Sequence, residues 1–263
     1  MFEPHIQKVI FVDEPFMTAL ELGSITDFRA FSNAELDTQI VTLPLQSKDV
    51  GELVKHVAPS EVRPGAILVK PDYSDKFMSM EAFADGHAER KYRLWILLCL
   101  ALGAKKVSIS NIEDITVELD DSASTAAGGG LKAPLGSASA EFKVGQSSQH
   151  SDVRKSMTEI KAEATGGEPD LTRAMEILMR HGLYRDDMFQ RMYEMRSLTN
   201  NAVRKQEFSL DLSSDVKRVF DSSLKAKVKL MSKLYGGNAD FEKVHRSFEK
   251  ARTALKLTVL VEF

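Results

Sequence analysis

Cysteine is nearly absent. Cys99 is the single one in 263 residues, so no intramolecular disulfide framework can staple the fold, and a reducing, cytoplasmic compartment is expected. The N-terminus lacks the apolar block of a secretory signal. Metal-ligand spacing is missing as well: His5, His56, His87, His150, His181 and His245 are scattered, with no HExxH and no second thiol. Gly128-Gly129-Gly130-Leu131-Lys132 lacks the GxxxxGK[ST] spacing of a phosphate loop, and no convincing helix follows it. No GxSxG nucleophile elbow occurs. No cofactor is expected. Long apolar runs are also lacking. The longest, Leu94 to Leu102, would rise about 13–14 Å as a helix against a hydrocarbon core of ~30 Å, so a buried helix closed by Gly103 is expected there.

What is present is a globular composition, 43% apolar and 28% charged. The net charge of −3 is unevenly spread, because Val203 to Lys256 holds 13 Lys/Arg against 7 Asp/Glu. A basic C-terminal third on an acidic chain suits an anionic partner, either lipid headgroups or nucleic acid, or an acidic part of the same protein.

Six of the eight prolines fall in the first 80 residues, which read as short strands (Ile6–Val12, Gln39–Leu45, Ala66–Lys70) and a short helix from Ser47 to Val57. Pro44 assigns the second strand to an edge. Lys105 to Leu119 alternates with period two (Val107, Ile109, Ile115, Val117 and Leu119 on one face), which predicts a long half-buried strand. Ser137–Gln149 and Val153–Thr165 alternate too, so an antiparallel three-strand meander is expected, with Gly128, Gly129 and Gly130 at a hairpin tip. Asp170 is placed to cap a helix over Leu171–Arg180 closed by Gly182, and Asp186-Asp187 to start another. After a short strand at Phe208, Leu210 and Leu212, a long helix from Ser213 or Ser214 to Leu234 carries a stripe through Val216, Phe220, Leu224, Val228 and Met231. Ala239–Thr253 predicts a further helix and Leu255–Phe263 a last alternating strand. Mixed order without βαβ alternation predicts an α+β fold on a mainly antiparallel sheet, as one domain over residues 1–263, in which 1–80 form a short-strand part and 81–263 hold the helix, meander and basic helices.

His181 with Arg180, Tyr184, Arg185, Asp186 and Asp187 is the best arrangement for general acid–base work, yet Asp at a helix start and His at a helix end serve capping equally well. The expected function is therefore non-enzymatic and membrane-active, that of a pore-forming or membrane-disrupting effector. Lys217, Arg218, Lys225, Lys229 and Lys233 would meet anionic lipid, and the 105–165 meander would rearrange or homo-oligomerise. A β-hairpin that enters a bilayer needs about 9–11 residues per strand, which these segments supply. Over Lys105–Phe263 the element order is similar to that of the gasdermin and membrane-attack-complex/perforin pore formers, a likeness of architecture without a matched motif, and it implies hairpins that extend into membranes. The other reading is a soluble protein- or nucleic-acid-binding module, as one half of a two-component system.

Overall fold

The computed structural model describes residues 6–32, 35–45, 53–117, 153–198, 203–236 and 239–263. The fold is α+β, as expected, and the chain divides into two compact units.

The first unit comprises residues 1–84, 117–123 and 214–252. Its sheet has the order β2-β1-β3-β4, from β1 (Lys8–Asp13), β2 (Thr38–Leu43), β3 (Ile67–Val69) and β4 (Met78–Ser79). β2 lies at the edge, the position that Pro44 predicts. β1 and β2 run parallel, and such a pair needs a crossover, here the helices α1 (Glu14–Leu22) and α2 (Ile25–Ser32). Neither helix is foreseen in the proline-rich sequence. Pro15 sits in the first turn of α1, where its missing N–H is no loss, and the Asp13 carboxylate caps that turn by accepting from Phe16 N at 3.0 Å. β1 is buried on both faces, which explains its unbroken Val-Ile-Phe-Val run. α3 (Leu53–His56) covers the end of the helix expected from Ser47 to Val57, whose start lies outside the described residues.

The expected long helix at 213–234 is two helices. α8 (Ser213–Val219) stops at Phe220, and Asp221 caps α9 (Ser222–Leu234) by accepting from Leu224 N at 2.8 Å. The cap satisfies a donor that a continuous helix would have bonded internally, so the chain can turn without leaving an orphan N–H. Val216, Val219, Phe220, Leu224, Val228 and Met231 are buried as the stripe predicts. α10 (Ala239–Ala251) adds Phe241 and Phe248. Tyr235 stacks between Phe16 and Phe241, at 5.0 and 5.8 Å, and Phe248 meets Phe220 edge-on.

The second unit comprises residues 85–116, 124–213 and 253–263. Most of α4 (Met80–Ala101) belongs to it; the helix starts well before the apolar block, with Ser79 Oγ accepting from Ala82 N. Gly103 closes it at φ +86, where a Cβ would stand 2.2 Å from the Gly167 carbonyl oxygen. The sheet order is β6-β5-β8-β7, all antiparallel, from β5 (Lys106–Thr116), β6 (Ala162–Glu163), β7 (Lys205–Asp211) and β8 (Thr253–Glu262). Here the expected meander is corrected. The long partner of β5 is the last strand, β8. Residues 153–159 are helical (α5) rather than a strand, and β6 is only two residues long. Met157, fully buried on α5, supplies the packing that the Ala- and Thr-rich alternation hid. Ser137–Gln149 and Gly128–Gly130 lie outside the described residues. A register shift between Ile109 and Asn111 turns β5 over, so that Ile109 and Ile112, rather than Ile109 and Ile115, face the same side. α6 (Leu171–Arg180) and α7 (Asp187–Ser197) are capped by Asp170 and Asp186 as expected, and Gly182 takes φ +62 between them. Trp95 of α4 packs edge-on against Phe189 of α7 and Phe208 of β7.

Candidate functional site

α9 holds four lysines and no acidic residue in its 13 positions. Its 3.6-residue period divides them into two kinds. Leu224, Lys227, Val228 and Met231 share the buried side. Lys225, Lys229 and Lys233, spaced i, i+4 and i+8, lie on the opposite side, with Lys225 half-buried and Lys229 and Lys233 exposed. The three form a ridge about 12 Å long at 1.5 Å per residue. Lys217 and Arg218 are exposed on α8, and Arg218 is ion-paired with Asp72. The structure thus gathers three of the five expected contact residues on one helix face and puts the other two on a separate helix.

The inward lysine is a clamp. Lys227 Nζ lies 2.7 Å from Glu35 Oε1 and 3.1 Å from Ser223 Oγ, and Ser223 also bonds Glu35. Beside the same helix start, Asp221 takes a second partner in Lys8, which also pairs with Asp37 at 3.1 Å. Lys8 and Lys227 are almost wholly buried, so each of these charges requires its carboxylate. Burial alone would lower the Lys8 pKa. The bonds and charges of Asp221 and Asp37 outweigh it and hold the ammonium above its ordinary 10.5. Tyr235, half-buried and donating to Asp13 Oδ1 at 3.1 Å, is pushed up to about 12 by desolvation first and then by that carboxylate. Sequence reasoning missed this network. Its only local signals are the i, i+4 spacing of Ser223 and Lys227 and a lone lysine heading an apolar strand; the acidic partners come from distant parts of the chain.

Part of the His181 group is engaged in the fold. Asp186 caps α7, accepting from Met188 N at 3.1 Å and Phe189 N at 3.4 Å, and it pairs with buried Lys91 at 2.6 Å. Arg185 Nε donates to the Tyr184 hydroxyl at 2.6 Å. His181 follows the last turn of α6, its N–H bonded to Ile177 O. Cys99 is fully buried, and burial pushes its thiol pKa well up, away from a nucleophilic thiolate. Among the described residues no group of three His, Cys, Asp or Glu side chains is arranged to hold a metal ion.

The long strand is also accounted for. β5 is hydrogen-bonded along β8, and its outward face carries Lys106, Ser108, Asn111 and Glu113. Ion pairs cross that face, Lys205–Glu262 at 3.1 Å, Lys106–Glu163 at 3.6 Å and Lys256–Glu113 at 3.8 Å, in the manner of a hydrated sheet surface. No helix among the described residues is long and apolar enough to cross a membrane. No protein-family model matches the chain, and no curated protein or solved structure matches it either.

Proposed function

We propose that the protein is a non-enzymatic module that docks peripherally on anionic lipid through the α9 ridge of Lys225, Lys229 and Lys233. The observation that carries this reading is the division of α9: its inward lysine is neutralised by Glu35, while Lys229 and Lys233 are exposed on the opposite side and the helix itself contains no acid. Lysine is a compact, hydrated point charge that gains from a diffuse field of headgroup phosphates without a fitted pocket. Nucleic acid would offer a similar field, but the ridge lacks the arginines and exposed aromatic rings that read or stack on bases. The polar outward face of β5 favours contact with the headgroup layer over hairpin insertion.

The test is sedimentation with vesicles of zwitterionic lipid, with and without phosphatidylserine, at low and high salt. The expected result is binding only to the anionic vesicles, weakened by salt. With each lysine near the surface worth about fivefold, removing the three charges costs roughly a hundredfold, and the K225E/K229E/K233E reversal should lose at least that in partitioning. Binding to duplex DNA in a gel shift, with none to vesicles, would replace this reading with the nucleic-acid one.

A further inference from the structure

The outward face of the second unit's sheet carries its charges in rows that cross the strands. Residues paired in register make up the first row: Glu163 on β6, Lys106 on β5, Glu262 on β8 and Lys205 on β7. The second runs from Glu113 on β5 through Lys256 on β8 to Asp211 on β7. Signs alternate along both rows, and the ion pairs Lys106–Glu163, Lys205–Glu262 and Lys256–Glu113 lie within them. Both rows stop at the edge strand β7, the first on a cation and the second on an anion.

The backbone of that edge is open at the same residues. Phe263 N donates to Arg204 O at 2.8 Å and Leu212 N to Leu255 O at 3.1 Å, so the even-numbered residues of β7 bond to β8. The N–H and C=O groups of Lys205, Glu207, Ser209 and Asp211 therefore point away from the sheet. All four residues are exposed, and among the described residues no strand pairs with this edge. Such an edge is a template for one more strand.

We propose that β7 pairs antiparallel with β7 of a second copy of this chain, about a two-fold axis at Phe208, so that the two sheets become one. This register overlaps the whole strand and joins odd-numbered residues to odd-numbered residues, for about eight backbone hydrogen bonds. It sets Lys205 opposite Asp211 twice. Each charge row then runs on into the other row of the second copy with its signs still alternating. A slip of two residues would set Glu207 opposite Glu207 in one direction and opposite Asp211 in the other, so charge selects the register. In the selected one Glu207 faces Ser209, and its like-charge neighbours, Glu207 and Asp211 of the second copy, stand only on the longer diagonals.

Sedimentation velocity of the full chain without lipid, at low salt and over a wide concentration range, tests the proposal. The wild type should dimerise reversibly. K205E and D211K each turn two attractions into two repulsions and should weaken the dimer about tenfold. An equal mixture of these two variants should dimerise again, because every 205–211 pair then joins opposite charges. S209P removes an outward N–H at an edge position, where proline is tolerated, and should abolish the dimer. K225E/K229E/K233E should dimerise like the wild type, which keeps this contact distinct from vesicle binding. Circular dichroism and the urea midpoint check that the variants fold. A wild type that stays monomeric throughout, a charge reversal without effect, a mixture that fails to recover, a folded S209P that still dimerises, or a dimer lost with the α9 lysines would each overturn the proposal.

Discussion

The α9 and α6 helices both carry cations on their exposed sides, but only on α6 does an exposed acid, Glu176, stand among them. α9 offers lysines alone, on a helix whose opposite side is tied down by a buried ion pair. α6 offers arginines beside two exposed methionines. The first is a long-range attractor that needs only negative charge nearby. The second interleaves guanidinium groups with a carboxylate and apolar area, so it presents no field of one sign. Net charge alone does not separate these roles; the residue types between the charges do.

The comparison can be sharpened within α9 itself, and the largest effect is expected there. Glu35→Ala removes the partner of buried Lys227 and should cost about 3 kcal/mol in urea unfolding, since a buried ammonium is left without its carboxylate. Lys229→Ala, on the opposite face of the same helix, should leave the urea midpoint unchanged. Equal losses from both would dissolve the distinction between clamp and ridge.

In the second unit the contrast is between backbone and charge. Gly103→Ala forces a Cβ against the Gly167 carbonyl at positive φ and should cost about 1–3 kcal/mol. Arg180→Ala on exposed α6 should not change stability measurably. Both are read by thermal or urea unfolding.

A smaller effect is expected at alkaline pH. Tyr235 and Tyr92 both titrate near 12 in the folded protein, against an ordinary 10.0, because burial disfavours the phenolate. Above pH 10 the unfolded chain releases these protons first, so the stability they contribute is fully present below 10 and is lost between about 10 and 12. Lys8, raised above 10.5, acts in the same direction, its contribution falling as the pH rises through its folded value. Absorbance at the tyrosinate band should therefore show Tyr92 and Tyr235 ionising late, together with loss of structure. Ionisation of Tyr92 and Tyr235 at the ordinary phenol value, shown by Y92F and Y235F leaving the late phase unchanged, would contradict their desolvation.

How far the fold was legible follows from where the information resides. Asp170, Asp186 and Gly182 act on their own turns, and the helices they bound were readable one residue at a time. The alternation at 255–263 was equally plain, because β8 has one buried face along its whole length. By contrast, the partner of β5 is set by a strand about 150 residues away, and no local pattern names it. The register shift after Ile109 reversed the face of Ile115 for the same reason: a bulge is a property of the pair. Residues 153–159 read as strand because the alternation of Thr158, Ile160, Ala162 and Ala164 begins within them, whereas the segment itself is a helix that packs through Met157. At the candidate site, the outward lysines were visible from composition and spacing. The clamp was not, since Glu35, Asp37 and Lys8 reach α9 only through the tertiary fold.

The most direct measurement is the partitioning of the wild type and of K225E/K229E/K233E between buffer and phosphatidylserine-containing vesicles at low salt. A large drop for the variant, with its urea midpoint unchanged, is the predicted result. Equal partitioning of the two proteins, or no wild-type binding at all, would contradict the role assigned to the α9 ridge.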